Sequence, residues 1–161
     1  MAMPATIRIQ REDFDAATES ARLRKGRADV GALVTFTGLC RSDGEGFVAM
    51  TLEHYPGMAE EEIGRHVAEA ERRWPLQGVS VIHRYGRFVP GDNIVLVATA
   101  SMHREAAFEA ASFLMDYLKT RAPFWKREER AQDGGVKTDW VDAKSADDDA
   151  AARWRDKDRK R

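Results

Sequence analysis

One proline constrains the stretch Met115-Asp-Tyr-Leu-Lys-Thr-Arg-Ala-Pro-Phe-Trp-Lys-Arg-Glu128 more than any other residue. The residues before it have helical spacing. Pro123 has no backbone N–H and pushes Ala122 toward an extended conformation, so the spacing predicts a helix that ends near Thr120 to Arg121. Beyond it Phe124, Lys126 and Glu128 alternate with Trp125, Arg127 and Glu129, the period of a strand with two distinct faces. The chain must therefore turn a corner from helix to strand. Lys119 falls in the last helical turn and Lys126 on the outgoing strand, so the two amines can face one another across it.

The rest of the chain supplies elements for that corner to join. Thr6 to Ile9 suits a short strand, and Asp13 to Lys25 a helix with Asp13 as N-cap. Gly31 to Leu39 is rich in β-branched and aromatic residues and predicts a largely buried strand. After the turn Ser42-Asp-Gly-Glu-Gly46, Phe47 to Tyr55 is expected to return antiparallel to it. Met58 to Trp74 has Ile63, Val67, Ala70 and Trp74 on one helical stripe, with Glu60, Glu61 and Glu62 at the end where the dipole favours acids. Strands follow at Val79 to Tyr85 and at Asn93 to Ser101, the second apolar enough to be central. A second long helix over Ser101 to Thr120, capped by Ser101, turns Phe108, Ala111, Met115 and Leu118 inward. Glu129 to Gly135 reads as a hairpin turn and Val136 to Val141 as its return strand. Without regular βαβ alternation, this order points to an α+β fold: a mainly antiparallel sheet with two long helices. The domain spans residues 1–143. Residues 144–161 form a charged tail, acids before bases, that suits a frayed helix.

Composition limits what the corner can bind. The chain of 161 residues carries 26 basic and 27 acidic side chains, a formal charge of -1, so no global field draws it to nucleic acid or anionic lipid. A single cysteine, Cys40, rules out an internal disulfide and multi-cysteine zinc patterns, and the four histidines lack metal-ligand spacing. No metal and no cofactor is expected. The first ten residues lack the apolar run of a signal peptide, and no stretch is apolar enough to span a membrane, which together favour a cytoplasmic protein. Basic and aromatic residues interleave from Lys119 to Arg130 as in single-strand binders, but Glu128 and Glu129 oppose that reading and a small anion suits the segment better.

His103 and Arg104 lie at a helix start, the wrong end for cations. Either Glu105 offsets them and His103 is neutral, or an anion is shared between these side chains and the free N–H groups of the first turn. Lys119 has its charged form favoured by the helix C-terminus, while neighbouring aromatics and the second amine at Lys126 act against it. Two lysines at one pocket suit acyl chemistry: they can hold a carboxylate-like group, stabilise an oxyanion and exchange protons. Arg41 opens a Gly-rich loop, where a side chain can project into a cleft. Cys40 has no evident base beside it and reads as a small packed residue.

Several segments together resemble one known family. They are Gly31-Ala-Leu-Val-Thr-Phe-Thr-Gly38 with Arg41, Thr51-Leu-Glu-His-Tyr-Pro-Gly-Met58, Arg73-Trp-Pro-Leu76, Val81-Ile-His-Arg84, Pro90-Gly-Asp92, His103-Arg104 and the block from Met115 to Glu128. The resemblance is to the large, catalytic subunits of molybdopterin synthase, the MoaE family, and runs from about Gly31 to Ala143. It implies an α/β hammerhead-like fold and a sulfurtransferase of molybdenum cofactor biosynthesis. The substrate is then cyclic pyranopterin monophosphate, and sulfur arrives as a thiocarboxylate on the C-terminal Gly-Gly of a small ubiquitin-like carrier subunit. The implied assembly is a homodimer within a heterotetramer, with no part for nucleic acid or membrane. By the same resemblance Lys119 and Lys126 match the catalytic lysines. Leu39, Cys40, Arg41, His103, Arg104, Arg127 and Glu128 match residues that hold the pterin substrate. Leu39-Cys40 departs from the family pattern, in which a basic residue followed by valine often precedes the arginine, and Cys40 is read as a packing substitution for that valine. The alternative is a non-catalytic module that binds an acidic or carboxylate tail of a partner through the same basic corner.

Overall fold

A computed structural model of the chain describes residues 2–141 and 145–157. Twelve elements follow in order: β1 (Thr6–Gln10), α1 (Ala16–Arg22), β2 (Ala32–Leu39), β3 (Phe47–His54), α2 (Met58–Arg73), β4 (Leu76–Arg84), β5 (Gly86–Phe88), β6 (Asn93–Ser101), α3 (Arg104–Thr120), β7 (Phe124–Gln132), β8 (Gly135–Val141) and α4 (Ser145–Lys157). They form two four-stranded sheets, ordered β1-β4-β6-β2 and β5-β3-β7-β8. Among the described residues only the β1–β4 pair is parallel, so the expected mainly antiparallel α+β class is what the chain adopts.

The first sheet is covered on both faces, which explains why β4 and β6 read as nearly continuous apolar runs. On one face Val79, Val81, Val95 and Val97 pack with Ile63, Val67 and Ala70 of α2 and Ala110, Phe113 and Leu114 of α3. On the other, Ile82 and Leu96 meet Phe14, and Ala98 and Ala100 meet Leu23. The inner stripe of α3 is Ala106, Ala107, Ala110, Ala111, Phe113 and Leu114. Its alanines let the helix axis approach the sheet closely, and the stripe is rotated from the expected one, leaving Phe108 60% exposed.

Other expectations also shift. Strand β3 does not return along β2 but belongs to the second sheet, between β5 and β7. After β2 the chain stays tied to the turn before β6, where Cys40 N–H donates to the Asp92 carbonyl and Gly91 N–H to the Cys40 carbonyl, so no hairpin closes. Strand β2 is consequently an edge strand, half-exposed rather than largely buried. Asp15, not Asp13, caps α1, accepting the Thr18 N–H, while Asp13 accepts the N–H of Phe14. His103, not Ser101, precedes α3, because Ser101 ends β6 and its hydroxyl donates to the Pro75 carbonyl. The hairpin after β7 is tighter than expected, since pairing continues to Gln132↔Gly135 and Gly134 takes the left-handed φ of 88° that the turn needs. The short β5 was not anticipated.

In the tail, Val141 ends the paired strand and α4 is docked rather than frayed where it is described. Trp154 is buried edge-on against Trp74 and Phe113, with ring centroids 5.5 and 5.6 Å away. Its Nε1 donates to Asp116, which also pairs with Arg153. Trp154→Ala should therefore destabilise the protein by about 3 kcal/mol or more in urea unfolding, the range for deleting a packed aromatic. A loss below about 1 kcal/mol would show that α4 adds little to the core.

Candidate active site

The corner at Pro123 carries the chain from a helix packed on the first sheet directly into the second. Thr120 Oγ donates to the Asp116 carbonyl, the Arg121 N–H closes the last turn on Tyr117, and Phe124 N–H reaches back to the Ala122 carbonyl at 2.8 Å. Between the end of β2, the C-terminal half of α3 and the inner side of β3 and β7 lies a cleft of about 590 Å³. Lys119 and Lys126 both line it, as do Leu39, Cys40, Arg41 and Glu128. Its apolar walls come from Phe36, Met50, Leu52, Met115, Leu118 and Phe124. Gly38 sits at the rim, where a Cβ would lie 2.6 Å from a Val95 methyl, and the β2–β6 register shifts at that point.

Glu128 is only 7% exposed and is shared by two cations, with Lys126 Nζ at 3.2 Å and Arg130 Nη2 at 2.7 Å. A buried carboxylate needs such compensation, and in return it holds the Lys126 ammonium at one wall of the cleft. Arg41 differs: its side chain is 70% exposed and pairs with Asp43 at 3.3 Å. An exposed pair of this kind is worth under about 1 kcal/mol, so a bound anion can readily displace Asp43.

Three of the residues picked from sequence stand elsewhere. Alternation along β7 turns Arg127 to the opposite face, where it pairs with Glu53 at 2.6 Å and lies over the Trp140 ring. His103 and Arg104 are exposed at the N-terminal end of α3, about 22 Å along the helix from Lys119 at 1.5 Å per residue. Within one chain they do not reach this cleft. The Cys40 thiol lines the cleft but is 3% exposed, and burial, then Asp92, push its pKa up, so it is held as a thiol.

His83 was not picked from sequence, yet it is part of the cleft wall. It is 7% exposed, and its ring stacks on Phe124 with centroids 3.9 Å apart and planes 16° from parallel. Burial lowers its pKa to about 4 against the favourable hydrogen bond to the Arg84 carbonyl, and the charges of Lys119 and His54 lower it further. The available signal was strand alternation, which puts His83 on the same face of β4 as Val79 and Val81. Chemically the cleft combines apolar walls, two amines, a guanidinium, two carboxylates that are each paired with a cation, and a neutral imidazole. Such a set can bind an extended anionic group out of water and stabilise charge that develops on an acyl oxygen. Among the described residues no group of acidic, histidine or cysteine side chains is placed to hold a metal.

Comparison with known proteins agrees with this geometry. The family model described as MoaE protein matches residues 9–121. The chain belongs to the MoaE family. The molybdopterin synthase catalytic subunit of Mesorhizobium japonicum is 63% identical over 150 residues, covering 93% of each chain. Among solved structures, the MoaE protein of Burkholderia ambifaria superposes with a TM-score of 0.78 at 50% identity, covering 94% of this chain and 98% of that one. Molybdopterin synthase of Staphylococcus aureus superposes with a TM-score of 0.71 at 28% identity, covering 81% and 94%. The family match ends at Arg121, before β7, whereas these relatives extend across the corner and both lysines.

The buried histidines make stability depend on pH. Burial, followed by the charges of Arg121 and Arg65, lowers His66 to about 3, and His83 titrates near 4, against 6.5 for a free histidine. Between these values the unfolded chain takes up protons that the fold excludes, so this stability is fully present above about pH 6.5 and is lost as pH falls toward 4. The urea midpoint should fall between pH 7.5 and pH 5, and His66→Gln should make the decline shallower. A pH-independent midpoint would contradict the neutral state of these rings.

Proposed function

We propose that this chain is the catalytic subunit of a molybdopterin synthase, moving sulfur from the thiocarboxylate of a small ubiquitin-like carrier to cyclic pyranopterin monophosphate. The observation that carries the reading is that Lys119 and Lys126, from different elements, line one apolar-walled cleft in a member of the MoaE family. The carrier's extended C-terminal tail enters between β2 and the corner and presents its thiocarboxylate to the two amines. Lys119 contacts the acyl group and stabilises its charge; Lys126, anchored by Glu128, does so from the other wall. Apolar walls keep water from hydrolysing the thiocarboxylate before sulfur attacks the pterin, the amines supply the proton that departing oxygen takes up, and water then cleaves the acyl–sulfur bond so that sulfur stays on the pterin and the carrier leaves as its carboxylate. Arg41, already at the rim, binds substrate phosphate once Asp43 is displaced.

His103 and Arg104 are exposed and distant from Lys119, so in this proposal they serve the cleft of a second copy. That gives the homodimer, with a carrier on each subunit, a chemical purpose. Arg127, turned away and paired with Glu53, supports β7 rather than touching substrate. A reducing, cytoplasmic setting belongs to the same reading and suits the free thiol of Cys40. No helix of the described residues is long and apolar enough to cross a membrane.

In a reconstituted assay with thiocarboxylated carrier and the cyclic pterin, Lys119→Ala should cut dithiolene formation at least about 100-fold and leave carrier affinity within about 3-fold. Unchanged turnover would overturn the role of Lys119. Carrier binding without dithiolene product in the wild type would favour a non-catalytic tail-binding module. Cys40→Val, which keeps volume and removes only the thiol, should retain near-wild-type transfer; its abolition with the fold intact would assign Cys40 a chemical role.

A further inference from the structure

His83 has features that packing alone does not require. Its Nδ1 lies 2.8 Å from the carbonyl oxygen of Arg84. A carbonyl can only accept, so Nδ1 carries the proton and Nε2 carries the lone pair. The tautomer is held from several sides. Arg84 is itself tied by its guanidinium to the Arg11 and Asn93 carbonyls, and the imidazole plane is clamped on Phe124. Because the ring stays neutral, its second nitrogen is a fixed acceptor.

That acceptor opens onto the cleft. Among the described residues, the side-chain atoms that are both sealed from solvent and unpartnered are Arg8 Nε, His66 Nε2, Gln77 Oε1 and Arg127 Nε. His83 Nε2 is not one of them. Among the described residues the ring's one hydrogen bond is through Nδ1, so Nε2 is not sealed from solvent, and the cleft is the space that His83 lines. Lys119, Lys126 and Arg41 on that wall are donors, while the carboxylates of Glu128 and Asp43 are engaged by Lys126 and Arg130 and by Arg41 respectively. Lys119 is near enough for its charge to bear on the imidazole. A ligand that brings its anionic end to Lys119 and a nearby backbone N–H into the cleft can engage both groups.

We propose that His83 is a substrate-positioning residue whose Nε2 accepts a hydrogen bond from a backbone N–H of the last two residues of the tail entering the cleft. The inference rests on the reading above that the cleft takes a carrier tail, and it assigns the tail's amide as well as its acid to a partner. One acceptor fixes the rotation of the tail about its axis, which a pair of flexible lysines does not, and so aims the reacting group. Glycine suits such a tail because its backbone can come close to the ring.

The test uses the full chain and the carrier ending in an ordinary glycine carboxylate, followed by calorimetry. His83→Phe keeps an aromatic ring on Phe124 but removes the acceptor, and should weaken carrier binding about 3- to 10-fold, the value of one hydrogen bond. His83→Gln, which returns an acceptor oxygen near the Nε2 position, should recover affinity to within about 2-fold. N-methylation of one of the two terminal glycines of a semisynthetic carrier should cost the wild type the same factor and cost His83→Phe nothing further. Equal affinities of wild type and His83→Phe, or losses that simply add, would overturn the proposal. Should His83→Phe fail to fold, nitrogen NMR of the wild type decides: the Nε2 resonance moves upfield when carrier binds, and an unmoved resonance overturns the assignment. A wild type that binds no carrier at all would instead remove the carrier-tail reading beneath it.

Discussion

Pro123 lets α3 run no further, and everything about the cleft follows from where it stops. Helix α3 is committed to the first sheet by its alanine stripe, while β7 is committed to the second by pairing with β3 and β8. With only Arg121, Ala122 and Pro123 between them, the two sheets are held at a fixed corner. Lys119, in the last turn of the helix, and Lys126, three residues past the proline, are thereby pointed into the same space from different supports. A longer linker would allow the same residues but would not fix their separation.

The electrostatics of the cleft follow from how each charge is supported. Lys126 is held by a buried carboxylate that it shares with Arg130, whereas Arg41 is held only by an exposed partner. The first arrangement positions a charge, and the second leaves one available for exchange with an incoming anion. His83 adds no charge to an already cationic wall, because burial keeps it neutral. Cys40, with its thiol disfavoured from ionising, contributes volume rather than a nucleophile.

Much of this was legible in sequence where local rules decide structure. The end of α3 at Thr120, the alternation of β7 and the central place of β6 all follow from proline geometry and apolar period. What was not legible depended on pairing at a distance. Nothing local indicates that β3 leaves β2 for another sheet, or that the alanines rather than Phe108 face the core of α3. The same holds for the site. Lys119, Lys126 and Glu128 could be placed on one corner from spacing, and His103 and Arg104 could be recognised as misplaced cations. Their remoteness from Lys119 already follows from the helix expected over Ser101 to Thr120, which has these cations at one end and Lys119 at the other. His83 was passed over because a histidine in an apolar strand ordinarily reads as core; only the Arg84 carbonyl and the cleft beside it reveal a nitrogen with an open lone pair.

The account centres on one transfer: sulfur carried into the corner on a partner's tail and left on a pterin. The most direct measurement loads the carrier thiocarboxylate with a heavy sulfur isotope, mixes it with this subunit and cyclic pyranopterin monophosphate, and weighs the product by mass spectrometry. The account predicts a dithiolene in which both sulfurs carry the label. A product with unlabelled sulfur, or labelled carrier that stays intact beside unreacted pterin, would contradict it.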